Sequence, residues 1–429
     1  MDRFLPNPWR QRAWQEVVAA HGLRAGETCT SPESRPALWV WAGTTWVRFE
    51  ETSRDSTRLV VTVPGPPGFA VVRIRGAQAK PADTSRIEVG DELFDRTFQA
   101  SGPLWLIRAL FNAEVRSLLL RLNAESRLEI DGSELRSEMP EAQLTGMLPS
   151  FLQAGRLLAQ PVDILRRLAE NAHLDPEPGV RLQNLRLLAL SHAREAETAE
   201  ALRIACADES PAVRILAARE LGAEGREVLR ELAEAPTDDA ASAEAVSLLG
   251  RDLPIERTRV ILGRALHNQR VQTARACLEA LGGSTAGEDI FRLSEVMAHE
   301  KSELAAVAAT ALGSTGSPAA EELLILALPR TEPADLQAAA ANALARIGTA
   351  AAVLPLQELA ERTARPTIRK AARRAIAEIQ SRLQGASPGQ LSLAVTAAGQ
   401  LSLAPAEAGQ LSLATDPAGG LSLSGGEDG

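Results

Sequence analysis

Five aliphatic-glycine pairs punctuate the second half of the chain: Leu221-Gly222, Leu249-Gly250, Leu281-Gly282, Leu312-Gly313 and Ile347-Gly348, at successive spacings of 28, 32, 31 and 35 residues. Several close an alanine-rich stretch, as in ESPAVRILAARELG (209–222), NQRVQTARACLEALG (268–282), KSELAAVAATALG (301–313) and ADLQAAAANALARIG (334–348). Glycine just past the last periodic residue supplies a left-handed helix cap. Alanine at spacings of three and four lets a neighbouring helix approach closely. One helix pair buries too little apolar surface to fold alone, so copies must stack. The periodicity therefore predicts an all-α superhelical solenoid of about seven helix pairs over 155–383. Its first helices are expected at 160–172, 195–207, 225–235, 254–266, 286–298, 317–328 and 350–363, with turn signals such as Asp208-Glu-Ser-Pro211 and Thr331-Glu-Pro333 between partners.

The stretch carrying Asp208, Pro211, Val213, Arg214, Ala217, Ala218, Leu221 and Gly222 resembles HEAT repeats, especially short bacterial ones. The resemblance covers somewhat over half the chain and implies a protein-binding platform. It also implies that Asp208 and Arg214 join a polar ladder along the stack. Arg270 and Arg369 match less well, since Arg270 precedes its Val, and the fifth unit has Leu304 where the Val-Arg pair belongs. Two other uses of such repeats are bilin attachment to phycobiliproteins and excision of alkylated bases from DNA. Base excision needs aromatic and basic side chains on one face, yet Phe291 is the only aromatic residue after Gln153. A bilin-lyase-like protein would need a site that no residue pattern here marks.

Residues 1–137 have another chemistry. All six tryptophans lie at or before Trp105. An amphipathic helix is expected over 9–21, then strands over 37–50, 57–63 and 69–75 separated by Gly and Pro, with a hairpin turn at Gly43-Thr44. The segment IEVGDELFDRTFQASG (87–102), a helix over 104–122 and a strand over 127–130 follow. Through Gly90, Asp91, Phe94, Asp95, Arg96 and Phe98 this order resembles an uncharacterised domain at the front of bacterial HEAT-repeat proteins and relatives of the GIDE domain, which implies a small α+β fold and no known activity. Asp91, Glu92 and Asp95 are candidate acid/base carboxylates, but such chemistry needs a partner group at fixed separation. The competing reading makes Asp91 a turn or helix cap and pairs Asp95 with Arg96 or Arg48. Trp39, Trp41 and Trp46 present a similar choice between ligand stacking and core. Residues 138–154 read as a linker.

A net charge of -9 opposes generic nucleic-acid binding, which rests on Lys and Arg neutralising phosphate. Cys29, Cys206 and Cys277 lack CxxC spacing, and His173, His192, His267 and His299 fall in different repeats, so no disulfide framework, metal or cofactor is expected. The N-terminus lacks a signal-peptide core and no run is long enough for a membrane span, so a cytoplasmic protein without membrane partners is expected. Basic residues crowd the last helix at Arg365, Arg369, Lys370, Arg373 and Arg374, either as the solvated face of a capping helix or as a site for an acidic partner.

The tail, 384–429, contains no Lys or Arg and repeats one hexamer every ten residues: GQLSLA at 389, 399 and 409, then GGLSLS at 419. Its Gly/Pro-rich, weakly apolar composition predicts disorder in the free protein. The hexamers stay nearly constant while the spacers vary. The leucine pairs Leu391 and Leu393, Leu401 and Leu403, Leu411 and Leu413, and Leu421 and Leu423 suit addition of a strand to a sheet edge. Linked weak copies bind tightly only where receptor sites lie close together, as on a symmetric shell, lattice or filament. Together these features predict a non-enzymatic scaffold or adaptor, with an enzyme or small-ligand binder sited in the Trp-rich domain as the rival class.

Overall fold

The computed structural model describes residues 8–30, 36–43, 45–53, 55–63, 70–73, 86–131, 133–299, 303–330, 334–382, 391–393 and 401–403. It divides into two compact units, Met1–Val228 and Leu229–Gly429. The first opens with α1 (Pro8–Ala20), β1 (Arg24–Thr30), β2 (Pro36–Trp41), β3 (Trp46–Ser53), β4 (Ser56–Thr62) and β5 (Ala70–Arg73). There follow α2 (Glu92–Thr97), β6 (Phe98–Ser101), α3 (Leu104–Leu110), α4 (Ala113–Glu125), β7 (Arg127–Asp131), β8 (Glu134–Pro140) and α5 (Leu144–Ala159). The strands form one antiparallel sheet in the order β1-β2-β3-β4-β8-β7-β5-β6.

Strand alternation sends Leu38, Val40, Val47, Phe49, Leu59, Val61 and Leu135 to one face, where they share a core with Trp14 of α1, Leu118 and Leu122 of α4, and Leu148 and Phe151 of α5. Residues 138–154 are thus no linker. They hold the end of β8 and most of α5, whose Leu144, Met147, Leu148, Phe151 and Leu158 recur at helical spacing and are buried. Gly155 lets α5 lie against β4, because a Cβ there would stand 2.7 Å from Val61 Cγ1. The single helix expected over 104–122 is two, since the Asn112 side chain accepts from Val115 N at 3.0 Å and starts α4 afresh.

Helix pairs complete the first unit: α6 (Ile164–Leu174) with α7 (Pro178–Ser191), and α8 (Ala196–Ala205) with α9 (Pro211–Leu221). α10 (Arg226–Glu234) spans the boundary between the units. The second unit contains α11 (Asp239–Leu249), α12 (Ile255–His267), α13 (Val271–Leu281), α14 (Gly287–His299), α15 (Glu303–Ser314), α16 (Pro318–Ala327), α17 (Ala334–Ile347), α18 (Val353–Arg362) and α19 (Pro366–Arg382). Here α11, α13, α15, α17 and α19 pack in that order, burying Ala274, Ala305, Ala308, Ala340 and Ala372. Small side chains at these contacts account for the alanine-rich second helices. The fold is mostly helical and solenoid-like, with a smaller sheet domain at its start.

Sheet domain and first helix pair are tied by a buried ionic node. Arg116 of α4 donates to Asp175 through both terminal nitrogens, at 2.7 and 2.9 Å, and through Nε to Asp91 at 2.8 Å. The Arg116 and Asp175 side chains are only 2% and 1% exposed. Asp91 also caps α2, accepting from Phe94 N at 3.0 Å. Close beside it Gly90, with φ +105°, meets the Gly179 backbone at the start of α7, where a Cβ on Gly90 would stand 2.5 Å from Gly179.

The next rung repeats that geometry. Arg181 holds Asp208 with two bonds of 2.7 Å, while Asp208 accepts from Ser210 N at 2.7 Å. Arg214 donates to Cys206 O at 3.0 Å, within its own helix pair. In the second unit the linked carboxylates sit elsewhere, in the first turns of α11, α14 and α16, and their partners differ. Arg259 holds Asp289 at 2.6 and 3.0 Å, Thr273 Oγ1 donates to Asp239 at 2.6 Å, and Thr349 Oγ1 donates to Glu321 at 2.9 Å. Arg270 donates to Ser242 Oγ at 2.7 Å, and Arg369 to Thr363 O at 2.8 Å.

Removing one member of a buried pair leaves the other charge unpaired, at a cost of about 3–5 kcal/mol. Asp175→Ala is therefore expected to lose that much of the first unit's stability in urea unfolding. Replacing Arg116 and Asp175 together by Met and Leu is expected to lose less. The ladder also sets an acid limit. Burial alone would raise the Asp208, Asp239 and Asp289 carboxyls, but hydrogen bonds, from Arg181, Thr273 and Arg259 respectively, outweigh it and hold all three below the ordinary 3.8. Stability from a depressed carboxyl is fully present above its unfolded value and is lost as pH falls through the folded one. The urea midpoint is accordingly expected to drop as pH falls below about 4. A triple Asp→Asn variant at these positions should show a flatter decline.

Candidate functional site

The sheet face opposite the core carries the tryptophans. Trp39 pairs across the strands with Arg48, and Trp41 with Trp46. The Trp41 and Trp46 ring centroids are 5.2 Å apart, Trp39 meets Trp46 edge-on at 6.4 Å, and Trp46 is 47% exposed. None of the three belongs to the core, because alternation gives the inward positions to Leu38, Val40 and Val47. Arg48 lies 5.3 Å over the Trp39 ring and donates to Glu50 at 2.5 Å and Glu134 at 3.2 Å. Burial would raise the Glu134 carboxyl, but bonds from Arg136 and Arg48 bring it below its usual range. The charges on this face thus neutralise one another, and one face of Trp39 is already taken by a cation.

Asp91, Glu92 and Asp95 do not assemble into an acid/base pair. Asp91 is engaged by Arg116 and the α2 cap, and Glu92 pairs with Arg96. Asp95 does not pair with Arg96 or Arg48 as expected. Its two oxygens accept from Val89 N at 2.9 Å and Gly90 N at 2.8 Å, closing the loop before α2. Burial raises its pKa, partly offset by those bonds. Burial also pushes the Cys277 thiol up to about 12, so it remains an unreactive thiol at neutral pH.

A cleft of about 480 Å³ opens in the second unit, where α16 ends beside α18 and the turn into α19. Pro329 cannot extend α16, and Gln337 fixes that end by donating to Leu328 O at 2.8 Å. Ile325, Leu326, Leu328 and Leu359 supply apolar wall, and Glu358, Arg362 and Arg365 supply charge. Leu326 is 73% exposed. The charged residues expected on the last helix lie close by: Arg369, Lys370, Arg373 and Arg374 line a shallow depression with Pro366. Arg374 is engaged with Glu378 at 2.6 Å and Arg369 with Thr363 O. Among the described residues, Lys370, Arg373, Arg362 and Arg365 form no ion pair. Helical spacing marked the basic cluster, whereas nothing local marked Leu326 or Leu359 as neighbours, because repeat packing brings them together.

Within the tail, β9 (Leu391–Leu393) and β10 (Leu401–Leu403) pair antiparallel, with Leu391 opposite Leu403, Ser392 opposite Ser402 and Leu393 opposite Leu401. Leu411, Leu413, Leu421 and Leu423, and most of the stretch expected to be disordered, lie outside the described residues. Among the described residues no group of three or more His, Cys, Asp or Glu is placed to hold a metal ion. No described helix is long and apolar enough to cross a membrane.

No curated protein sequence matches the chain. Solved structures similar to it include the mycobacterial trehalose monomycolate transport factor A, TtfA, at 13% identity, covering 36% of this chain and 99% of that one with a TM-score of 0.28. The complex of CpcE and CpcF of phycocyanin lyase from Nostoc sp. is similar at 21% identity, 52% and 96% coverage and a TM-score of 0.30. Human deoxyhypusine hydroxylase is similar at 19% identity, 65% and 100% coverage and a TM-score of 0.27. At these scores no property of the three proteins carries over to this chain. The family described as HEAT repeats matches residues 290–377, from α14 into α19.

Proposed function

We propose that the chain is a non-enzymatic scaffold or adaptor that holds a protein partner on its helical repeats. The observation that carries this reading is the cleft beside α16 and α18, which joins an apolar wall to arginines without ion-pair partners among the described residues. Such a surface suits a peptide segment with one or two aliphatic side chains next to a carboxylate. The HEAT repeats at the same place support the reading, since stacked helix pairs offer extended protein-binding surfaces. The four leucine-serine-leucine copies of the tail add a multivalent element for a repetitive assembly such as a shell, lattice or filament.

Covering one leucine is worth about 1.5–3 kcal/mol. Leu326→Asp is therefore expected to weaken capture of a purified partner by roughly 10- to 100-fold, and the urea midpoint should hold because Leu326 is exposed. The tail is tested by comparing proteins captured by the full chain with those captured by a chain ending at Gln384. Identical sets would remove the tail from the adaptor role, and full binding by Leu326→Asp would remove the cleft.

A further inference from the structure

We propose that the cleft beside α16 and α18 is a docking site for the chain's own tail, and that its occupant is the third leucine-serine-leucine copy, Leu411–Leu413. This rests on the reading of the cleft as a peptide-binding surface. Three observations select the occupant. The first is charge. The tail has no Lys or Arg, and the third copy alone has an acidic residue within four positions on both sides, Glu407 and Asp416. The cleft contributes Arg362 and Arg365, neither ion-paired among the described residues, with Lys370 and Arg373 just beyond. Among the described residues Glu358 is the one acidic lining residue, against Arg362 and Arg365.

The second observation is reach. α19 starts at Pro366, next to the cleft residue Arg365, and ends at Arg382. Its 17 residues place the start of the tail about 25 Å from the cleft. Leu391 lies nine positions beyond Arg382 (391 − 382 = 9) and would span that distance only when nearly fully extended, at about 30 Å. Leu411 lies eight positions beyond Leu403 (411 − 403 = 8), which stands opposite Leu391, so the nine positions before the strand pair and the eight after it span up to about 56 Å when extended, well over the distance required. The third observation is competition within the tail. Copies one and two are paired with each other through β9 and β10, so one backbone edge of each is already engaged. In an extended segment the two leucines of a copy fall on one side, as an apolar wall formed by Ile325, Leu326, Leu328 and Leu359 requires. Tethering gives such a weak contact a millimolar effective concentration. The tail thereby acts as a resident competitor that an external partner must displace.

The test uses the full chain, dilute and without any partner, with Ser412→p-benzoyl-phenylalanine as a photo-crosslinker. The expected products are intrachain crosslinks to residues 325–329 or 355–365. Arg362→Glu with Arg365→Glu is expected to cut their yield at least five-fold, and adding Glu407→Lys with Asp416→Lys to restore it. That restoration separates lost attraction from a damaged fold. Crosslinks mapping elsewhere, products with the mass of two chains, or yields unmoved by the charge reversals would each overturn self-docking. Since no partner is present, those outcomes leave the scaffold reading standing. That reading fails separately, if partner capture ignores Leu326→Asp.

Discussion

Arg116 is the residue on which the first unit depends. It lies in the sheet domain, yet its bidentate partner Asp175 stands at the turn between the two helices of the first pair, and its third contact, Asp91, caps the helix of the GDELF segment. A guanidinium and two carboxylates with almost no water contact are tolerable only when every donor and acceptor is matched. Such a node contributes little net stability compared with an apolar contact of the same volume. It contributes position, because no other registry of sheet domain and repeat satisfies it. Arg108 and Asn171 reinforce the same junction: Arg108 donates to Gln183 O at 2.8 Å, and Asn171 donates to Arg108 O at 2.9 Å. A solenoid needs its terminal repeat covered, and here the sheet domain covers it.

Arg116 also stands where a preceding repeat would place its own arginine. Asp175-x-x-Pro178-x-Val180-Arg181 and Asp208-x-x-Pro211-x-Val213-Arg214 are the same phrase 33 residues apart (208 − 175 = 33). In each phrase the aspartate turns the chain into a second helix and receives an arginine from the element before it: Arg181 for Asp208, and Arg116 for Asp175. The sheet domain thus supplies the first rung of the ladder that the repeats continue. In the second unit Arg259, Thr273 and Thr349 donate to carboxylates in the first turns of α14, α11 and α16, so these links join neighbouring pairs without repeating that phrase.

This explains why some features were legible and others were not. Helix pairs could be located closely because glycine caps and alanine spacing are local consequences of helix geometry, and the first helices fall within a few residues of expectation. The first phrase, DPEPGVR, went unnoticed although it differs from DESPAVR at only three positions, because the search followed the aliphatic-glycine ending, which α7 lacks. The α5 stretch carries only one charged residue, Arg156, and contains Pro149, so composition argued for a linker while its leucine spacing argued for a buried helix. Trp39 and Trp41 share strand β2 with Leu38 and Val40. Period-two alternation separates the two sets, but not which set faces the core, since both are apolar. Asp95 bonds to two backbone amides, a partner class that leaves no trace in side-chain pattern.

The alanine packing has a consequence for where partners can bind. Gly313 lies against Ala343 so closely that a Cβ on it would stand 2.5 Å from the Ala343 Cβ, and Gly282 approaches Ala311 similarly, with a Cβ 3.1 Å from its Cα. Second helices in such contact leave no gap for another side chain, and any substitution that opened one would separate the stack. Among the described residues of the second unit the most exposed apolar side chains lie on first helices, Val260 on α12, Phe291 on α14, Leu326 on α16 and Leu354 on α18, while Leu248 on the second helix α11 is 39% exposed. Singly, such residues are ordinary on a protein surface. Leu326 differs because Pro329 ends its helix and the turn from Thr363 to Pro366 places Arg365 in the same lining, so that an apolar side chain and a cation with no ion pair among the described residues border one cavity. The close contact that keeps the second helices small-sided thus leaves most of the exposed apolar surface of the second unit on its first helices.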